Sequence, residues 1–131
     1  MESLQVRTGQ ISLQILDDLG NERGVFKFNP EDVAAAKRFF SIQDEFDMKS
    51  KEFNARVSEL ENSGDTERQI DLLNEIVEYL NSLIDECFGS GSSDLLFGGA
   101  KTLSMYYDFF TGITPYYQQA SEKRMEKYNK K

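Results

Sequence analysis

Residues 11–16, Ile-Ser-Leu-Gln-Ile-Leu, alternate apolar and polar, and Val25-Phe26-Lys27-Phe28 resumes the same period beyond a turn-rich Gly20-Asn21-Glu22-Arg23-Gly24. A period of two sends successive side chains to opposite faces of a strand. The segment from about residue 4 to 28 is therefore predicted to hold a β-hairpin. The period then changes. Asn29-Pro30-Glu31-Asp32 offers an N-cap, a proline at the first helical position and acids in the first turn, all suited to the positive end of a helix. Beyond it Phe39, Phe46, Phe53 and Leu60 recur every seven residues, and Ile42 and Val57 widen the stripe. One apolar face running about four heptads predicts a long helix reaching about Glu61.

Asn62-Ser63-Gly64-Asp65 interrupts that pattern, and Asp65 or Thr66 can cap a second helix. Its apolar positions are Ile70, Leu73, Ile76, Val77, Leu80, Leu83, Ile84, Cys87 and Phe88. Gly89 is placed to cap its end, Gly89-Ser90-Gly91-Ser92-Ser93 reads as loop, and Leu95-Leu96-Phe97 as a single helical turn before Gly98-Gly99. Leu103, Tyr106, Tyr107 and Phe110 return to helical spacing, and Thr114-Pro115 is expected to start a separate last helix running to about Tyr128. The fold class is mainly α, a helical bundle with a small N-terminal β-hairpin. A length of 131 residues suits one domain. Within it the hairpin takes about 4–28, the bundle about 30–121 and a basic helical tail about 122–131.

Composition narrows the setting. Ten Phe and six Tyr within 39% hydrophobic residues supply a core, and 29% charged residues keep the surface wet. No run approaches the roughly 18 consecutive apolar residues of a membrane span, and Met1-Glu2-Ser3-Leu4-Gln5-Val6-Arg7 lacks the basic and apolar regions of a secretory signal. The lone Cys87 has no internal disulfide partner and sits among apolar neighbours. The expected address is the cytoplasm. The net charge of −8 repels phosphate backbones and anionic lipid, so neither nucleic acid nor membrane is an expected partner. Residues 122–131 carry five basic and two acidic side chains and form the basic patch of the chain.

Histidine is absent. That excludes triads with an imidazole base, imidazole metal sites and Glu-x-x-His di-iron motifs. The chain is read as no enzyme, with no cofactor and no metal. Glu67, Asp71, Glu75 and Glu78 fall along one face of the second helix, where acids opposite an apolar stripe form a solvated face or a docking strip for a basic partner. Gly98-Gly99-Ala100-Lys101-Thr102 ends like a phosphate-binding loop, but Leu95 and Ala100 stand where that motif needs glycine, and it follows a helix instead of a strand. The aromatic pairs at 106/107, 109/110 and 116/117 face more than one side of a helix. One core contact cannot absorb them all, which leaves two readings: burial within the domain, or an interface with a partner or a second copy. The candidate protein-binding residues are Leu96, Phe97, Tyr106, Tyr107, Phe109, Phe110, Tyr116 and Tyr117, and a homo-oligomer is expected.

The second half of the chain runs Asp85-Glu86-Cys87-Phe88-Gly89, a Gly-Ser loop, Phe97-Gly98, the aromatic Tyr107-Asp108-Phe109-Phe110, Thr114-Pro115-Tyr116 and the basic Lys123-Arg124-Met125-Glu126-Lys127-Tyr128. With this order of segments, over about residues 83–128, the chain resembles the tail assembly chaperones of long-tailed phages and prophages of Gram-positive bacteria. The resemblance implies a non-enzymatic protein of the bacterial host cytoplasm whose partners are the tape measure protein, tail tube subunits and itself. It also implies that Lys130-Lys131 could mark a programmed frameshift site. The alternatives are a virion structural or adaptor protein, and a small acidic regulatory protein of the anti-repressor kind.

Overall fold

A computed structural model describes residues 1–129, so Lys130 and Lys131, and the frameshift reading placed on them, lie outside the described residues. Strand β1 (Ile11–Leu16) pairs antiparallel with β2 (Glu22–Phe28), with Leu13 opposite Phe26 and Ile11 opposite Phe28. The turn is tighter than the glycines suggested. The Asp17 carboxylate accepts the backbone N–H groups of Leu19 and Asn21, which closes the reversal at Asp17–Gly20 and releases Glu22–Gly24 into the strand. A register shift between Ile15 and Leu16 absorbs the extra residue. Phe26 and Phe28 are buried, and Ile11, Leu13 and Ile15 are half-buried beside them.

Helix α1 (Val33–Ser63) begins later than the Asn29-Pro30 signal indicates. The Asn29 side chain accepts the N–H groups of Glu31 and Asp32 and so closes a turn of its own. Asp32 then takes the capping role, its carboxylate accepting from Ala35 N at 3.1 Å. Gly64 ends the helix at φ 71, a left-handed conformation that glycine adopts without a Cβ clash. Asp65 caps α2 (Thr66–Phe88) by accepting from Arg68 N, and Gly89 closes it by donating to the Asp85 carbonyl.

The α2 stripe holds for Ile76, Val77, Leu80 and Ile84, which are buried, but Ile70 is 62% exposed. Ile70 lies in the first turns of α2, close to the Gly64 turn. A short α3 (Ser92–Phe97) follows the glycine-serine loop, and α4 (Ser104–Asn129) completes the fold. The expected break at Thr114-Pro115 is absent, because α4 runs through it. Thr114 does not cap: its hydroxyl accepts a 3.0 Å hydrogen bond from Gln43 Nε2 of α1. The tail expected from residue 122 is likewise continuous with the bundle helix as far as Asn129, and Arg124 Nη2 donates to the Pro30 carbonyl at 3.2 Å.

What carries α4 across its proline is tertiary packing. Tyr106, Phe110, Ile113, Tyr117 and Ala120 are all buried. Their spacing of four, three, four and three makes one continuous apolar seam. The seam runs antiparallel to α1: Phe46 packs on Tyr106 and Phe110, while Phe39 stacks flat on Tyr117 with ring centroids 4.0 Å apart. The hairpin covers the adjacent face through Phe28 on Tyr116 and Tyr117. Among the described residues, no helix is long and apolar enough to cross a membrane.

Candidate functional site

The eight candidate residues divide by depth. Phe97, Tyr106, Phe110 and Tyr117 are buried in the core, Leu96, Phe109 and Tyr116 are half-buried against it, and Tyr107 is 67% exposed. Tyr106 and Tyr117, at 0% and 1% exposure, therefore cannot meet a partner in the folded chain, whereas Phe97 and Phe110 still line grooves at the surface. The physical reason is the number of elements around α4, since α1, α2, α3 and the hairpin all pack on its aromatic rings. Phe26, Phe88 and Phe97 all meet Phe109 edge to face, with centroids 5.8 to 6.1 Å apart. The Phe88-Gly89 and Phe97-Gly98 segments thus meet the aromatic helix in one cluster. Adjacent aromatic pairs mean several covered faces here, more than a bare one.

Burial fixes the chemistry of the enclosed groups. The Tyr106 hydroxyl donates towards the Val77 carbonyl at 3.0 Å and lies 2.6 Å from Asn81 Oδ1, pinning α4 to α2. Desolvation pushes its pKa well above the usual phenol value. The same cause acts on Tyr117, whose hydroxyl is buried with no hydrogen-bond partner. Burial also raises the Cys87 thiol to about 11, although Arg38 pulls the other way, so the thiol stays protonated and unreactive at neutral pH.

Two open grooves flank α4. The larger, of about 680 Å³, lies between the hairpin and the start of α4. Leu13 and Ile15 form one wall, Met105, Phe109 and Ile113 the other, and Asp18, Arg23 and Asp108 bring charge to it. The smaller, of about 390 Å³, lies between α1 and α4 under Tyr107, with Phe46 and Phe110 as its apolar floor and Gln43, Asp47, Thr114 and Gln118 as polar lining. Tyr107, one of the candidate binding residues, lines the second groove, whereas the strand wall of the first holds none of them. The alternation of Leu13 and Ile15 was its available signal, and it was spent on the hairpin alone.

The row Glu67, Asp71, Glu75 and Glu78 is exposed along α2. Lys101 approaches Glu78 at 3.8 Å and donates to Asn74, which ties the α3–α4 connection to this face. Among the described residues, no three carboxylates or thiols come together in a way that could hold a metal ion.

Residues 21–131 match the model of a family of unknown function, DUF6673, and the chain belongs to that family. The match takes in β2 and all four helices, hence both grooves except the β1 wall and Asp18. Comparison with curated proteins and with solved structures finds no match.

Proposed function

We propose that this DUF6673 member is a non-enzymatic tail assembly chaperone, acting in the cytoplasm of a bacterial host, that binds an amphipathic helix of the tape measure protein and assists tail tube assembly. The observation that carries the reading is Tyr107. Among the α4 rings from Tyr106 to Tyr117 the others are enclosed or half-enclosed, and this one stands in solvent over an apolar groove with polar walls. A helix laid into such a groove buries its apolar stripe on Phe46 and Phe110 while its polar face stays wet. The net charge of −8 keeps a chain that covers an aggregation-prone client in solution. A further support is that the segments carrying the resemblance, around Phe88, Phe97 and Phe109, converge in space in this chain.

The test is co-expression with the tape measure protein of the same phage or prophage, reading the soluble fraction of the client. The unaltered chain should keep the client soluble, and Tyr107→Asp should reduce that fraction several-fold at an unchanged thermal midpoint, because the side chain is exposed. Full solubilisation by Tyr107→Asp would remove the groove from the proposal. Recovery of the chain in finished particles would replace the chaperone by a virion component.

A further inference from the structure

Residues 1–8 carry an unused strand pattern. Leu4, Val6 and Thr8 alternate with Ser3, Gln5 and Arg7, the period of a half-buried strand. Yet Leu4 is 87% and Val6 70% exposed, and among the described residues the segment makes no backbone-to-backbone hydrogen bond. Its root is fixed. The Thr8 carbonyl accepts from Asn29 Nδ2 at 2.8 Å, and Gly9, at φ 97, lies so close on the Glu31 side chain that a Cβ would clash. These contacts hold the arm at the Ile11 end of β1, away from the groove beside Leu13–Leu16.

That groove runs beside the free edge of the sheet. Four consecutive β1 residues, Leu13, Gln14, Ile15 and Leu16, line it, so it meets the strand along its edge, where both side-chain directions are accessible. The sheet has only two strands, and the outer edge of β1 is unpaired. A two-stranded sheet with a free apolar edge is marginal alone and gains from a third strand. Charge agrees: the groove carries Asp18 and Asp108 with Arg23, and the arm carries Arg7 and Glu2. We infer that the Met1–Thr8 arm of one chain docks in the hairpin groove of a second copy as a third strand beside β1, with Leu4 and Val6 against Met105, Phe109 and Ile113. Each copy then offers one arm and one groove, so the contact joins unlike surfaces. The inference specifies the self-association within the proposed role and is independent of which client fills the Tyr107 groove.

Gly112 supplies a variant that leaves the fold alone. It lines this groove in mid-helix, and a Cβ built on it meets nothing within 4 Å. Gly112→Leu should plug the groove while improving local helix propensity. Sedimentation of the full chain should show concentration-dependent association, weakened at least about tenfold both by Leu4→Asp with Val6→Asp and by Gly112→Leu, with neither thermal midpoint lowered. Mixing the two variants should restore a heterodimer, because one supplies the intact groove and the other the intact arm. Unchanged association in both variants, or no heterodimer on mixing, overturns the docking and leaves the chaperone reading standing. A wild-type chain that remains monomeric, with its arm amides protected by folding back on its own β1, overturns the docking and the self-association together.

Discussion

Tyr106 and Tyr117 lie about three turns apart on the same seam of α4, and their hydroxyls are treated differently. The first reaches Val77 and Asn81; the second is enclosed by apolar rings without a partner. Removing a satisfied buried hydroxyl strands its partners, whereas removing an unsatisfied one relieves a desolvation penalty. Tyr106→Phe should therefore lower stability by about 1–2 kcal/mol, and Tyr117→Phe should leave it unchanged or raise it by up to about 1 kcal/mol. Urea unfolding of the two variants reads the contrast directly, and equal losses would mean that the Tyr117 hydroxyl has found a partner such as an enclosed water.

Among the secondary structure elements, α4 shows where sequence signals compete. Thr114-Pro115 carries a strong stop, and the seam from Tyr106 to Ala120 carries a continuous helix; the seam prevails because five buried side chains outweigh one lost hydrogen bond. The proline removes the bond that its N–H would make to Thr111, and mid-helix proline costs about 3 kcal/mol relative to alanine. Pro115 is exposed and anchors nothing, so Pro115→Ala is expected to raise stability by about 1–3 kcal/mol in thermal unfolding, with helicity by circular dichroism unchanged or increased. A loss would show that a bend at Pro115 is needed for Phe28 and Phe39 to reach Tyr117. The two-residue and seven-residue periods were legible in the sequence, as were the caps at Asp65 and Gly89, because local chemistry decides them. The start of α1 was not, since Asn29 and Asp32 are both competent caps and only the turn closed by Asn29 assigns the role.

For the whole molecule, burial links folding to protonation. The folded chain raises Cys87 to about 11 and lifts Tyr106 and Tyr117 further above their usual values, so it retains protons that the unfolded chain releases. Stability then falls as pH rises, from about 9 with the thiol and from about 10 with the phenols, and is unaffected by these groups below that. Thermal midpoints recorded from pH 7 to 11 should follow this course, and Cys87→Ala should move the onset to about pH 10. A flat profile up to pH 10.5 would mean that the three groups are solvated. The candidate site was only partly legible at this scale. Aromatic excess on α4 was visible, but whether a ring is enclosed depends on how many elements converge on it, which no spacing within one helix reveals.

The paired helices also end unequally. Among the described residues, the aromatic contacts of α4 on α1 run from Phe39 to Phe46 and its hydrogen bonds to α2 fall at Val77 and Asn81, away from the Gly64 turn that joins the two helices. Phe53, Val57 and Leu60 are half-buried there, and Ile70 is exposed. Free energy of local opening is set by the apolar surface an opening must release. It is therefore expected to be lower at the Gly64 turn than at the aromatic centre, and amide exchange should be faster there. The molecule joins a rigid end, where rings interlock, to a compliant end that can open and close again while the rest of the fold stays intact.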